Sequence, residues 1–516
     1  MRWPAILALA AALAALVAAD WLTPGSDDAA LPEEAGTIRA GYSSSGGSTW
    51  FCVGGVGGAG GSRQDVVIVN TSGHELRGAL RLFPAVPLGG QSQQWPASRV
   101  EFAVGPYARL AIDPAATAAQ FAADLANFAE VFVAAEVRLD NAGGIVMQEV
   151  ALGDASDISP CVTSASPTWH FATATTRRDA RVRLSLLNPF SDDAVADLTF
   201  ATDEGHRAPV AYQGFVVPAN ALVVLDVGSE VTRREQVSLS VVARRGNLLA
   251  SALQSFNGDL GLSGASLRSG APRAAEQWLF PLGVAGAEAG AANSFVVYNP
   301  DTAEARVDLT VELDASLRAR GVPPFELTVP PGQRVEVSFF PPNAVGAHPS
   351  SGADAVAAAS RVLPSERYWV SVRSFNGVAV VAERLRTIET GAPEGVSILA
   401  GRTAGSRGGV VPLARSGLPP SIVALVNPSM ETISRLSLEV LTADGWAPPA
   451  GLEDLEIRPR QRLVLDLSQR SAPGTLALRF DASEPLVASY AGSAGVRAAE
   501  AVVEWESLSE LEQLLF

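Results

Sequence analysis

The chain contains four short apolar runs that each end on asparagine, followed in three cases by proline: Val66-Val67-Ile68-Val69-Asn70, Leu184-Ser185-Leu186-Leu187-Asn188-Pro189, Phe295-Val296-Val297-Tyr298-Asn299-Pro300 and Val423-Ala424-Leu425-Val426-Asn427-Pro428. Apolar runs that stop at a turn residue are typical of β-strands. The asparagines recur about every 110–130 residues, whereas a propeller blade repeats about every 40–50 residues. The pattern therefore predicts four copies of one β-domain.

The residues around each run repeat as well. An apolar strand with a tryptophan precedes the first three runs, at Trp50, Trp169 and Trp278, while the fourth copy lacks the tryptophan. After each run come a segment of alternating apolar residues and then a strand that begins at proline, both of which fit strands of half-buried sheets. Two further strands around a turn, as at Arg245-Gly246-Asn247, are interpreted as a closing hairpin.

The second copy contains seven such strands in about 100 residues, which is the signature of an immunoglobulin- or fibronectin-like sandwich. We therefore predict an all-β protein of four tandem immunoglobulin/fibronectin-like β-sandwich repeats behind an N-terminal signal or anchor helix. The predicted boundaries are 1–22 for the signal peptide or membrane anchor, 23–47 for a linker, 48–165, 166–272, 273–390 and 395–505 for the four sandwiches, and 506–516 for a tail.

The N-terminus predicts export from the cytoplasm. Pro4 to Ala19 form an apolar run behind Arg2, and Asp20 ends it. The run is shorter than the roughly 20 residues of a bilayer span, and Val17-Ala18-Ala19 supplies the small residues of a cleavage site. A cleaved signal peptide and a retained anchor both remain open, so contact with a membrane is expected only through this segment.

Export gives the two cysteines a role. Cys52 and Cys161 are the only cysteines of the chain, and an even pair in an oxidising compartment predicts a disulfide. A closed loop of this length contributes about 4–5 kcal/mol in the chain-entropy account. Two unrelated buried thiols are the alternative.

Composition excludes several chemistries. The net charge of −16 disfavours nucleic acid as a partner. The chain has no lysine, which removes the Walker A loop and Schiff-base catalysis. Gly55 to Gly60 fit G-x-G-x-x-G, but a strand and not a helix follows, so no cofactor is predicted. The four histidines stand at non-equivalent positions without ligand spacing, so no metal site is predicted either.

The aromatic residues fall into two groups. Trp50, Trp169 and Trp278 recur at one repeat position and are predicted to be core residues. A second group lies in loops before the proline-led strand, where an exposed ring could stack on a sugar or anchor a partner; its members are Trp95, Tyr212, Phe325 and Trp446. Arg109, Arg334 and Arg462 recur after the strand-leading proline and are interpreted as solvent-facing edge residues.

The combination of an exported N-terminus, Trp50-Phe51-Cys52, Pro160-Cys161 ahead of Trp169, and strand-Asn-Pro units resembles a family of secreted or membrane-anchored actinobacterial repeat proteins catalogued only as a domain of unknown function. The resemblance extends over most of residues 48 to 500. It implies work at the cell envelope and no established activity.

Two classes of function follow from these observations. The first is a non-catalytic extracytoplasmic cell-envelope protein, a rod-like spacer or a binding module for wall glycan or partner proteins. The second is a glycan-acting hydrolase or transferase with a site formed between repeats, which requires carboxylates of different strands to converge in a cleft.

Overall fold

The structure, a computed structural model, describes residues 47–88, 91–153, 155–284, 291–314, 321–339, 361–362, 366–388, 395–413, 421–449, 451–452, 454–466, 475–492 and 503–505. Contacts divide the chain into two units, Met1–Glu34 and Ala35–Phe516. The first unit lies outside the described residues, and so do the predicted signal or anchor segment, the linker apart from Gly47, and the tail 506–516. Within the described residues, no helix has the length and apolar character needed to cross a bilayer.

The first sandwich contains ten strands and one short helix. The helix begins where Asp113 accepts a hydrogen bond from the N–H of Ala116 at 2.9 Å, a standard N-cap. The elements are β1 Ser48–Cys52, β2 Val56–Gly57, β3 Arg63–Asn70, β4 Leu76–Leu88, β5 Gln91–Gln94, β6 Ser98–Val104, β7 Arg109–Ile112, α1 Pro114–Ala119, a 3₁₀ turn Ala123–Asn127, β8 Val131–Leu139, β9 Gly144–Leu152 and β10 Ala155–Pro160. One sheet has the order β1-β8-β4-β5, with β2 on β8 and β6 on β4, and the other has the order β10-β9-β3-β7.

The second sandwich repeats this plan without the helix. Its elements are β11 Thr168–Ala174, β12 Ala180–Asn188, β13 Ala194–Thr202, β14 Gly205–Arg207, a 3₁₀ turn Val210–Tyr212, β15 Phe215–Val217, β16 Ala221–Asp226, a 3₁₀ turn Val227–Ser229, β17 Val237–Arg245, β18 Leu249–Asn257 and β19 Ser263–Ser269. The sheets are β11-β17-β13-β14, with β15 on β13, and β16-β12-β18-β19. All seven strands predicted for this copy have counterparts among these elements.

The third sandwich follows the same plan, and in the fourth one long strand, β34 Ala477–Gly492, pairs in both sheets. The third consists of β20 Gln277–Val284, β21 Ala291–Tyr298, β22 Ala305–Leu313, β23 Phe325–Val329, β24 Arg334–Phe339, β25 Arg367–Ser374, β26 Val381–Ile388 and β27 Gly395–Ala400. The fourth consists of β28 Ser406–Pro412, β29 Ser421–Val426, β30 Ser434–Thr442, β31 Gly445–Ala447, β32 Leu455–Ile457, β33 Arg462–Asp466, β34 Ala477–Gly492 and β35 Val503–Trp505. Because β27 pairs with β26, the third sandwich extends to Ala400, and the fourth begins at Ser406 and not at residue 395.

The all-β sandwich prediction is confirmed, but the strand order departs from the immunoglobulin arrangement. In that arrangement the first strand lies in the sheet of the second, and the last strand lies beside the sixth. Here β11 lies beside β17, and β18 lies beside β12. The predicted closing hairpin is therefore wrong, because β17 and β18 belong to opposite sheets. The turn at Gly246, with a φ of 78°, makes a β-arch across the core.

The four strand-ending asparagines make one recurring clamp, as the repeat predicts. All four are buried. The Asn188 side-chain amide donates to the carbonyls of Asp192 at 2.8 Å and Val217 at 3.1 Å, and its oxygen accepts from the N–H of Phe190 at 3.1 Å. Asn70, Asn299 and Asn427 make the equivalent bonds. Asn70 also heads a glycosylation sequon, but its amide nitrogen is occupied by backbone carbonyls.

The predicted disulfide and core tryptophans are confirmed. Cys52 and Cys161 are bonded, with their Cα atoms 4.5 Å apart, and both are buried. Trp50, Trp169 and Trp278 are at most 2% exposed. The disulfide thus ties the first strand of the first sandwich to the segment that leaves it.

Consecutive sandwiches form buried junctions. At the first junction, Phe83 and Ala85 of β4 belong to the same apolar core as Val223 and Leu225 of β16. At the second, the Arg268 Nε of β19 lies 3.1 Å from Glu383 of β26. Each of the first two sandwiches therefore shares buried residues with the next one along the chain.

The fourth sandwich contacts both the third sandwich and the first. Arg462 of β33 pairs with Asp314 of the third sandwich at 2.6 Å. The Trp446 Nε1 of β31 donates to the carbonyl of Thr71 in the first sandwich at 2.9 Å, and Val410, Leu441 and Ala477 share a core with that sandwich. The four junctions form a closed cycle, so the predicted rod is wrong for the described residues: the first sandwich has an apolar outer sheet that the fourth covers.

One turn position recurs at these junctions. The residues that precede the edge strands β7, β16, β24 and β33 have left-handed φ values of 51°, 55°, 62° and 59°; they are Tyr107, Asn220, Gly332 and Arg460. Two of these residues make polar contacts across a junction: Asn220 accepts from Arg81 at 2.6 Å, and Arg460 donates to Glu312 at 3.1 Å. The left-handed turn directs this residue toward the preceding sandwich.

Candidate functional site

A cleft of about 300 Å³ opens on the outer face of the β1-β8-β4-β5 sheet of the first sandwich. Strand alternation places Arg81 of β4 and Arg99 of β6 on this face, opposite one another in the ladder. Arg81 is also opposite Glu136 of β8. Two residues along the same ladder, Arg138 of β8 lies opposite Ala79 of β4. We call this the arginine cleft; its lining residues are Ala79, Leu80, Arg81, Ala97, Ser98, Arg99, Glu136 and Arg138.

Glu136 organises the charges of the cleft. Its carboxylate is 3% exposed and accepts from the Arg138 Nε at 2.7 Å and from the Arg81 Nη1 at 3.4 Å. Arg81 also donates to Asn220 of the second sandwich at 2.6 Å. One carboxylate therefore neutralises two guanidinium groups, and the junction with the second sandwich fixes one of them.

Arg99 gives the cleft an excess of positive charge. It lies directly across the ladder from Arg81, a placement of like charges that is destabilising in sheets. Its ion-pair partner is Glu101, at 3.4 Å, and both side chains are largely exposed. Since the lining contains three arginines and one glutamate, the cleft is cationic in a chain of net charge −16.

Two of the predicted binding aromatics are buried. Tyr212 and Phe325 are each 5% exposed; Tyr212 packs beside Phe200 and Phe215, and Phe325 packs on Phe339. Neither ring offers a free face to a sugar, so the interpretation of these two as surface aromatics is wrong. Both rings instead pack into the apolar core of their own sandwich.

The other two aromatics are half-buried, and neither lines the arginine cleft. Trp95 packs edge-to-face on Phe128, with ring centroids 5.7 Å apart. Trp446 lies at the closing junction, where Arg479 stacks 4.5 Å above its ring and its indole N–H donates to Thr71. A binding role for these two rings stays a prediction, and Trp446 already has a structural one.

The interpretation of three repeated arginines as solvent-facing is wrong. Their side chains are 15%, 4% and 2% exposed, for Arg109, Arg334 and Arg462 respectively. Arg462 donates to Asp314 and to the carbonyl of Pro281 in the third sandwich. The proline-led strands lie at sheet edges, but those edges face a neighbouring sandwich and not solvent.

A histidine and a serine do meet, but in the interior. His170 Nδ1 lies 2.7 Å from Ser240 Oγ, which lies 3.0 Å from Tyr298 Oη of the third sandwich. All three are less than 9% exposed. Burial lowers the pKa of His170 to about 4, so the ring is neutral at pH 7. This chain of polar groups joins two sandwiches and offers no opening to a substrate.

Asp157 of β10 makes the junctions sensitive to pH. Its carboxylate accepts from the N–H of Leu267 in the second sandwich at 2.7 Å and from the N–H of Ile158 at 3.0 Å. Burial raises its pKa to about 7, although these hydrogen bonds and the charge of Arg268 act in the opposite direction. Between about pH 4 and pH 7 the folded chain therefore holds a proton that the unfolded chain has released.

We expect Asp157→Asn to gain stability relative to the wild type as the pH rises from 5 to 8. A raised pKa stabilises the fold below the ordinary value of 3.8 and loses that contribution as the pH rises through about 7. The slope is at most about 1.4 kcal/mol per pH unit for one proton. His170 has the opposite slope between pH 6.5 and 4, but it is present in both proteins. Urea unfolding at four pH values measures the difference; a difference independent of pH would contradict the assignment.

The fold and the cleft define an all-β protein of repeated, mutually packed sandwiches with a cationic surface cleft on the first of them. Residues 127–362 match the model of a family of unknown function (DUF5719). A comparison with curated proteins gives no significant match. The matched range begins in the first sandwich, contains the whole second sandwich and extends into the third, and it includes Glu136 and Arg138. It confirms the resemblance to a domain of unknown function, while actinobacterial origin and secretion stay predictions.

Proposed function

We propose that this chain is a non-catalytic extracytoplasmic cell-envelope protein that holds a ligand-binding surface on a rigid cycle of four sandwiches. The arginine cleft is the observation that carries the proposal. It brings together three arginines, two of which pair with one buried carboxylate, and the disulfide at Cys52 and the junction with the second sandwich support the sheet on which it lies. The apolar N-terminal run and the formed disulfide support an extracytoplasmic location.

A binding role fits the cleft better than hydrolysis. Glycoside hydrolysis uses two carboxyl groups on opposite sides of the bond to be cleaved. Among the residues that line the cleft, Glu136 is the one carboxylate, and it is held in ion pairs with Arg81 and Arg138. A residue so placed orients the two arginines, and the lining of the cleft supplies no second carboxyl group to act with it.

The proposal predicts that the full-length protein, produced with its N-terminal segment, accumulates outside the cytoplasm with Cys52 and Cys161 oxidised. It also predicts that the purified protein sediments with insoluble cell-envelope material and releases no reducing sugar from it. Fractionation, thiol alkylation with mass spectrometry and a sedimentation assay measure these outcomes. Cytoplasmic accumulation with free thiols, or no sedimentation with envelope material, would contradict the proposal.

A further inference from the structure

We propose that the arginine cleft binds an anionic saccharide, a sugar ring that carries a carboxylate or a phosphate group. This inference rests on the proposed function and names the ligand class of the same site. The guanidinium fork matches both groups, because two parallel N–H donors meet two oxygens of a carboxylate or a phosphate.

The charges of the cleft favour an anionic ligand. Arg81 and Arg99 oppose each other across the ladder, a placement of like charges whose repulsion an anion between them would offset. Arg81 and Arg138 already share Glu136, whereas Arg99 has only a distant and exposed partner, Glu101. Arg99 is therefore the residue best placed to take the anionic group of a ligand.

The lining of the cleft favours a sugar ring over an inorganic anion. It includes the small residues Ala79 and Ala97, so a small apolar surface lies among the charged groups, while Leu80 of the lining has its side chain in the core. A sugar ring presents apolar C–H groups on one face and hydroxyl groups at its rim, and this combination fits an apolar floor surrounded by polar side chains. An inorganic anion would use the arginines but not the floor.

The junction with the second sandwich holds the site in shape. Arg81 donates to Asn220 Oδ1 at 2.6 Å and lies 4.7 Å above the ring of Phe83, which is buried in the shared core. The side chain is thus ordered before a ligand arrives, which lowers the entropic cost of binding.

The test is a calorimetric titration of the full chain, at low and at high salt, with four probes: a glucuronic acid oligosaccharide, a hexose phosphate, inorganic phosphate and a neutral glucose oligosaccharide. We expect the two anionic saccharides to bind and the neutral one not to bind. Binding should weaken at high salt. The anionic saccharide that binds more tightly identifies the ligand group as carboxylate or phosphate.

Arg99→Gln should weaken the binding of anionic saccharides about tenfold, as expected for loss of one charged hydrogen-bonding group. The matched control is Arg77→Gln, because Arg77 is on the same face of β4, is similarly exposed and pairs with Glu75 outside the cleft. Both side chains are more than half exposed, so neither change should unfold the protein, and thermal melting verifies this.

Three results would overturn the inference: equal binding of neutral and anionic saccharides, equal effects of the two substitutions, or inorganic phosphate binding as tightly as the sugar anions. Failure of every saccharide probe while the protein still sediments with envelope material would overturn this ligand class and leave the proposed function standing. Loss of envelope binding with retained saccharide binding would overturn the proposed function alone.

Discussion

Replacing Glu383 by alanine is expected to lower the free energy of unfolding by about 3–5 kcal/mol, because it leaves Arg268 buried without its anion. The two side chains are 0% and 5% exposed and lie 3.1 Å apart at the junction of the second and third sandwiches. Glu383 also accepts from the N–H of Thr173 at 2.8 Å, so the substitution removes a second buried bond. Urea unfolding at pH 7 measures the loss.

The control for Glu383 is Glu456→Ala. Glu456 pairs with Arg435 at 3.0 Å, but both side chains are largely exposed, and such pairs contribute at most about 1 kcal/mol. The double variant Arg268→Met, Glu383→Leu should lose less than Glu383→Ala alone, since it removes the unpaired charge. Equal losses for Glu383→Ala and Glu456→Ala would show that the buried pair does not hold the junction.

Trp278→Ala should cost a similar amount, about 3–5 kcal/mol, through the cavity that it leaves. The ring is fully buried in the third sandwich, and its indole N–H donates to the carbonyl of Val380 at 2.7 Å. Trp169 makes the same bond to Leu248 in the second sandwich, which marks the position as a repeated core anchor. The alanine variant therefore loses packing and one of the two hydrogen bonds that the Val380 carbonyl accepts, the other coming from the N–H of Ala275.

The matched control is Phe375→Ala in the same sandwich, because Phe375 is 58% exposed. Surface changes of this kind usually stay within about 0.5 kcal/mol. Thermal and urea unfolding of both variants measure the contrast. A Trp278→Ala protein as stable as the Phe375→Ala protein would exclude the core role of the repeated tryptophan.

The repeated features of each sandwich could be predicted because they are local. Strand-ending asparagine followed by proline specifies a turn, and the clamp around Asn188 shows why amide and not carboxylate chemistry is needed: the side chain must donate and accept at once. The pairing of Cys52 with Cys161 followed from their number and the expected compartment. These inferences need no knowledge of how sandwiches pack together.

The strand order and the closed cycle could not be predicted in the same way. A turn between two apolar strands has the same pattern whether the strands share a sheet or face each other, so Gly246 gives no indication of a β-arch. One signal was nevertheless present. Val66 to Val69 are apolar at every position, which indicates a strand buried on both faces and so a sheet covered by another domain.

The arginine cleft could not be predicted from the sequence, because it depends on the register in which the strands pair. Arg81, Arg99 and Glu136 lie on three strands far apart in the sequence, and only the ladder brings them into one row. The prediction that Tyr212 and Phe325 are exposed is wrong for a related reason. A loop of polar composition can still turn its one large ring inward, because burying that ring is favourable.

Because the fourth sandwich packs against the first, a single proteolytic cut between sandwiches should not separate the pieces. A linear array of repeats has two terminal members, each with an outer face that must be made polar. Here the outer sheet of the first member, with Val66 to Val69, shares its core with Val410 and Leu441 of the last. A protease that nicks one connection between sandwiches would leave every sandwich held by both neighbours. Separation of the pieces would require two junctions to open together, so the first break in the backbone need not release any part of the molecule.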